Sequence, residues 1–176
     1  MTVFMREAIG WVVIALLLGS LVFFLPWRAR RTIVLQRRYP YAPGVVWDQL
    51  FADPPNLISH TSDPFDPAVK IVTFEAGFGA AKRPVVSRIR VLNEEKPVRS
   101  VTRIEELDGI VFPFGEDSTI AGELRPVAGG SLAILAFDGM LKSSLEAVSM
   151  RWRLSRQLKQ AARTLAQSKV GGTQHG

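Results

Sequence analysis

The sequence predicts an α+β fold: a curved antiparallel sheet of about six to seven strands wrapped on one long C-terminal α-helix, with one transmembrane helix in front. Three observations carry that expectation. Residues 8–25, AIGWVVIALLLGSLVFFL, hold no charge over eighteen positions. Residues 69–137 break into short β-rich segments punctuated by Gly, Pro and Asn. From Leu141 onward the apolar period changes to that of a helix, with Lys and Arg filling the other side.

At 1.5 Å per residue the uncharged run covers most of a ~30 Å hydrocarbon core, and Pro26 and Trp27 extend it into the interface. A cleaved secretory signal has a shorter apolar stretch and a small-residue cleavage site after it. Here the run is followed by Pro-Trp-Arg-Ala-Arg-Arg, so a retained anchor over residues 8–27 is expected. The positive charge behind it (Arg28, Arg30, Arg31, Arg37, Arg38) outweighs Arg6 and Glu7 in front, which predicts an N-terminus outside and a cytoplasmic C-terminal domain. The same five arginines are candidates for contact with anionic lipid headgroups.

The chain has 176 residues, room for one domain of real size behind the anchor. It has no Cys, which excludes disulfides, thiolate metal sites and thiol nucleophiles. The net charge of +6 is uneven: residues 1–31 carry +3, residues 141–176 carry +6 and the middle −3. These cations flank the anchor or lie along one predicted helix, without a recognition motif or stacking aromatics, so membrane lipids rather than nucleic acid are the expected partner. The expected boundaries are a tail over 1–7, the anchor over 8–27, a basic neck over 28–31, the folded domain over 32–169 and a disordered tail over 170–176.

Along the domain, Thr32–Tyr39 reads as a first strand ended by Pro40. Pro43 suits the first turn of a helix whose apolar face is Val45, Val46, Leu50 and Phe51, stopped at Asp53-Pro54-Pro55. Asn56–His60 suits a second helical turn, and Thr61–Pro67 a loop. Ala68–Glu75, Pro84–Leu92, Pro97–Glu106 and Ile110–Phe114 then read as strands. Ser118–Pro126 and Ser131–Phe137 form a hairpin around Gly129-Gly130. Both faces of Ser131–Phe137 are apolar, which means burial on two sides or a surface for a partner. Leu141, Leu145, Val148, Trp152, Leu158, Ala162 and Leu165 define the expected inner stripe of the last helix, ended by Gly171-Gly172.

Two segments resemble a known family. Residues 39–54, YPYAPGVVWDQLFADP, are similar to the opening of START-like proteins, the SRPBCC, Bet v 1-like or polyketide cyclase/dehydrase superfamily, in which a strand leads through an Ala-Pro turn into a helix with Val-Trp-Asp and then Asp-Pro. Residues 124–131, LRPVAGGS, resemble the late hairpin of the same group. The resemblance covers about Thr32 to Lys169 and implies a helix-grip fold with a tunnel between sheet and helix for a lipid, sterol, quinone or aromatic polyketide. The anchor departs from the family's minimal form.

Within such a tunnel, alternation nominates Ile71, Ile89, Ile104, Leu124, Ile134, Leu145, Val148 and Trp152 as ligand-lining residues; a filled core would use the same residue types. His60, Asp63 and Asp66 form a His-x2-Asp-x2-Asp cluster that suits a proton-transfer pair or a loose ligand set, while Asp before Pro equally suits plain turn chemistry. No strong metal signature, nucleophile elbow or phosphate loop is present, so no metal or cofactor is expected. The leading expectation is a non-catalytic, membrane-anchored domain that binds a hydrophobic ligand at the cytoplasmic leaflet. The alternatives are a polyketide cyclase/dehydrase-like enzyme, or an accessory subunit whose partner membrane proteins pack on residues 8–27.

Overall fold

The computed structural model describes residues 11–19, 28–52, 56–76 and 82–171. In chain order these form helix α1 (residues 11–19), β1 (Ala29–Tyr39), α2 (Pro43–Trp47) running into a π-helical turn (Asp48–Ala52), and β2 (Leu57–Ser62). There follow β3 (Val69–Ala76), β4 (Arg83–Glu95), β5 (Arg99–Leu107), β6 (Ile110–Val111), β7 (Thr119–Val127), β8 (Gly130–Leu141) and α3 (Ser144–Gly171). The strands make one antiparallel sheet in the order β1-β8-β7-β5-β4-β3-β2, with β6 paired to β5. The α+β expectation of an antiparallel sheet and a long C-terminal helix is met, with eight strands rather than six or seven.

Burial alternates along the central strand β8, whose two faces are both apolar in sequence. Along β8, Ser131, Ala133, Leu135, Phe137, Gly139 and Leu141 are buried while the residues between them are not. Those six face α3, and Leu132, Ile134 and Ala136 lie half-buried on the other side. Two turns follow recognisable chemistry: Asp108 and Gly109 both take positive φ (52° and 81°), the geometry of a tight hairpin between β5 and β6, and Gly129 takes φ 78° between β7 and β8.

Helix α3 opens on a capping motif. Ser143 Oγ accepts the Glu146 N–H at 3.2 Å, and the Glu146 carboxylate accepts the Lys142 N–H at 2.5 Å. It buries Ala147, Met150, Leu154, Leu158, Ala161 and Leu165, spaced three or four apart, against β1, β8 and the π-helical turn. Tyr39 donates to the Leu158 carbonyl at 2.7 Å and Tyr41 to that of Leu165 at 2.9 Å, tying the helix to the end of β1. Beneath α2, Val46, Trp47 and Leu50 complete the core.

Several expectations are corrected. Of the span over 8–27, residues 8–10 and 20–27 lie outside the described residues; α1 supplies nine residues, about 14 Å of helix at 1.5 Å each. Among the described residues no helix is long and apolar enough to cross a membrane, so the single-pass topology with an outer N-terminus and a cytoplasmic domain does not stand. The tail over 1–7 also lies outside the described residues, as do 172–176, whereas 170 and 171 belong to α3. The basic neck is not a linker: β1 begins at Ala29 and pairs with β8 from Leu141 onward. Asn56–His60 is not a helical turn, because Leu57–Ser62 pairs with β3 as the edge strand β2. The inner stripe of α3 is the one through Met150 and Leu154; Leu145, Val148 and Trp152 are exposed, about 140° around the helix by the 100° turn per residue.

Candidate functional site

The register carries one face of the sheet continuously from β8 to β2. Leu135 stands beside Gly122 and Phe137 beside Ile120; Gly122 and Ile120 stand beside Ser100 and Thr102. Thr102 stands beside Val91 and Ile104 beside Ile89; Ile89, Ser87 and Val85 stand beside Lys70, Val72 and Phe74. Cross-strand partners share a face, so all of these look toward the α3 side.

Burial along that face changes in its middle. Leu124, Leu135 and Phe137 are 1%, 1% and 0% exposed, closed off by α3, α2 and the π-helical turn. Phe51 lies directly over Gly122, where a Cβ would stand 2.1 Å from its Cζ; only glycine admits the ring there. Beyond β7 the packing of α3 concentrates elsewhere, on β1 and β8, and Ile104, Ile89, Val91, Val72 and Phe74 are only half-buried. Ser87 is buried within this part of the face, its Oγ donating to the Glu106 carbonyl at 3.0 Å, and the half-buried Thr102 Oγ1 donates to that of Ile120 at 3.3 Å.

Next to Ile89 this face opens into a depression of about 410 Å³ lined by Pro67, Ala68, Lys70, Val91, Leu92, Asn93 and Glu94. Its two charges partly cancel. Lys70 Nζ lies 3.9 Å from Glu94 Oε1, and Lys96 Nζ lies 3.5 Å from Glu94 Oε2.

The opposite face of β3–β5 has different chemistry. The buried Asp63 carboxylate is 2.8 Å from the Arg88 guanidinium and accepts the Phe65 N–H at 2.9 Å. Asp66 accepts from Arg90 at 2.7 Å and from the Ala68 N–H at 3.0 Å, and Arg90 also binds Glu105. The Arg90 hydrogen bond, then that from Ala68, holds the Asp66 carboxyl below the usual carboxylate range. Both aspartates are thus occupied in ordering the β2–β3 loop.

The sequence-nominated residues are divided by this geometry. Ile89 and Ile104 lie side by side on the uncovered α3-side face. Leu124 lies on the same face within the closed core. Ile71 pairs with Arg88, and Ile134 with Gln36 and Glu123, on the other face. Leu145, Val148 and Trp152 point away from the packed stripe, with Arg156 5.2 Å over the Trp152 ring. His60 pairs with Val72, across the sheet from the Asp63 and Asp66 partners, so the three do not converge; among the described residues no group of His, Asp or Glu is placed to hold a metal ion.

The arginine set is split as well. Arg30 and Arg38 lie on one face of β1, Arg31 and Arg37 on the other, and Arg28 precedes the strand. Arg30 forms a two-pronged pair with Asp138 at 2.8 and 3.1 Å, which lowers the Asp138 pKa. Val72, Phe74 and Val91, absent from the nominated set, share the face with Ile89; alternation along β4 places Val91 there, and the β3–β4 register places Val72 and Phe74.

No family model and no curated protein matches the chain. Solved structures do. A Rhodobacter sphaeroides protein superposes with TM-score 0.57 at 17% identity, covering 82% of this chain and 99% of its own. Ara h 8.0201 superposes with TM-score 0.57 at 13% identity, covering 79% and 99%. CalU16 from Micromonospora echinospora superposes with TM-score 0.54 at 15% identity, covering 79% and 81%. The fold is a helix grip. At such identities the likeness establishes the helix-grip architecture alone, and the chemistry of the site rests on this chain's own residues.

Proposed function

We propose that the chain is a non-catalytic ligand-binding domain that holds a neutral, apolar small molecule against the β3–β5 half of the sheet. The single observation that carries this reading is the change in burial along one continuous face: closed over Leu124, Leu135 and Phe137, half-open over Ile89, Ile104, Val72 and Phe74, with the buried Val85 and Ser87 between. A half-buried apolar face beside a partly polar depression has the mixed composition of a small-molecule site. The Lys70–Glu94 pair at the depression leaves no strong field of one sign, which favours an uncharged ligand. The helix-grip fold shared with Ara h 8.0201 and CalU16 supports a ligand-binding reading.

Titration of the full chain with the neutral dye Nile red tests this. Binding is expected to raise its fluorescence, and Ile104→Glu or Ile89→Glu to weaken it at least about tenfold by putting a carboxylate on the apolar face. Equal affinity in both variants, with unchanged thermal melting, would overturn the assignment.

A further inference from the structure

At the other end of the sheet, where β1 begins and α3 starts, a second cleft of about 290 Å³ opens. Ile110, Val111, Pro113 and Met140 line it, together with Arg28 and Lys142. Ile110, Val111 and Met140 are 57%, 64% and 42% exposed, three large apolar side chains gathered at one place rather than scattered singly.

The wall of the cleft is held in shape. Phe112 N donates to the Glu105 carbonyl at 2.6 Å, Gly115 N to that of Phe112 at 3.0 Å, and Met140 N to that of Phe114 at 2.9 Å. The Phe114 ring meets Phe137 edge-on at 5.5 Å, anchoring the segment in the core. Phe112 itself sits at φ 46°, a left-handed conformation that bulky side chains avoid and that surrounding structure must enforce. The β5–β6 turn is already closed by Asp108 and Gly109, so this strain serves the shape of the segment behind it.

The charged groups that line the cleft, Arg28 and Lys142, are both cationic. Among the described residues the head groups of Arg28 and Lys142 form no ion pair, whereas neighbouring Arg30 is held by Asp138. The nearest described carboxylate on α3, Glu146, accepts the Lys142 backbone N–H.

We propose that this cleft binds a single-chain anionic amphiphile, a medium-chain fatty carboxylate, with its alkyl chain along Ile110, Val111 and Met140 and its carboxylate between Arg28 and Lys142. A guanidinium fork matches a carboxylate in two-pronged fashion, and the ammonium adds a point charge. The volume stands near the lower end of ligand pockets, about 300 Å³, which suits one flexible chain better than a fused-ring molecule.

Calorimetric titration of the full chain with dodecanoate, dodecanol and dodecyltrimethylammonium, all below their aggregation thresholds, tests the assignment. Dodecanoate is expected to bind most tightly. The double change Arg28→Gln with Lys142→Gln should weaken it at least about tenfold while leaving dodecanol within about twofold, because only the charge-assisted bonds are lost. Val111→Glu should weaken both. Photocrosslinking of the unaltered chain with a diazirine-bearing fatty acid adds a readout free of folding effects; label on residues 110–113 and 140 is expected. Any of the following would overturn the proposal: no binding of dodecanoate to the full chain, equal binding of the ammonium analogue, crosslinks confined to other residues, or a dimer in sedimentation that Val111→Glu dissociates, which would make a second copy the occupant. Loss of dodecanoate in Ile104→Glu but not in Val111→Glu would place it on the β3–β5 face, whereas loss of Nile red alone leaves this cleft standing.

Discussion

Replacing Gly122 by alanine places a methyl group inside the Phe51 ring. Its carbon would stand 2.1 Å from Cζ and 2.3 Å from Cε1, against the 3.5–4.0 Å of ordinary carbon contact. Phe51 cannot simply swing clear: Trp47 lies 4.7 Å away between ring centroids, and the Leu50 carbonyl beside it receives the Gln157 amide at 2.9 Å. The strain must pass into the π-helical turn or into β7. Overpacking of this kind costs about 1–3 kcal/mol, and at about 2–4 °C per kcal/mol for a chain of this size the melting temperature should fall by roughly 2–12 °C. A double-mutant cycle with Phe51→Leu, read by chemical denaturation, isolates the contact. The alanine should cost clearly less in the Phe51→Leu background, since the methyl then meets a smaller and more adaptable side chain. Additive effects, or a Gly122→Ala protein as stable as its parent, would refute the close approach of α2's π-helical extension to β7.

Other measurements bear on other parts of the molecule. Leu154→Ala should lose about 2–5 kcal/mol, while Trp152→Ala should cost about 0.5 kcal/mol, because Leu154 is 3% exposed and Trp152 42%; the reverse ranking in urea unfolding would mean the wrong stripe faces the sheet. Asp66, Asp138 and Glu123 have pKa values lowered by Arg90, Arg30 and Arg125. Their contribution is therefore present above the unfolded carboxylate range of about 4 and is lost as pH falls through the lower folded values. Melting temperature should be flat near neutrality and fall below about pH 4, with a smaller fall in Asp66→Asn. Burial pushes the Tyr39 hydroxyl up to about 12. Phenolate absorbance should show a step there that Tyr39→Phe removes.

Much of the fold is legible in the sequence because the strands from β3 to β8 are short β-rich runs bounded by turn residues, and β4 carries a clear alternation of its own. β2 is not: Leu57–Ser62 follows two prolines and has no apolar face of its own, and only its partner β3 makes it a strand. The last helix is ambiguous for a different reason. Leu145, Val148 and Trp152 repeat at helical spacing, and so do Met150, Leu154, Leu158, Ala161 and Leu165; the longer stripe is the buried one. The candidate site is legible only in part. Ile89 and Ile104 follow from alternation, but the partners of Asp63 and Asp66 lie more than twenty residues away, on β4, and local spacing says nothing of Arg88 and Arg90.

The arginines of β1 have a consequence for assembly. An edge strand presents unpaired backbone groups that invite another chain to add itself. Here a second copy that paired its own β1 with this edge would bring Arg28, Arg30, Arg31, Arg37 and Arg38 against the same five residues of its neighbour, on both faces of the seam, with Arg30 already held by Asp138. The first strand is therefore self-repelling. Charge at this edge opposes the two-fold pairing of β1 with β1, the arrangement in which two copies would otherwise join into one continuous sheet.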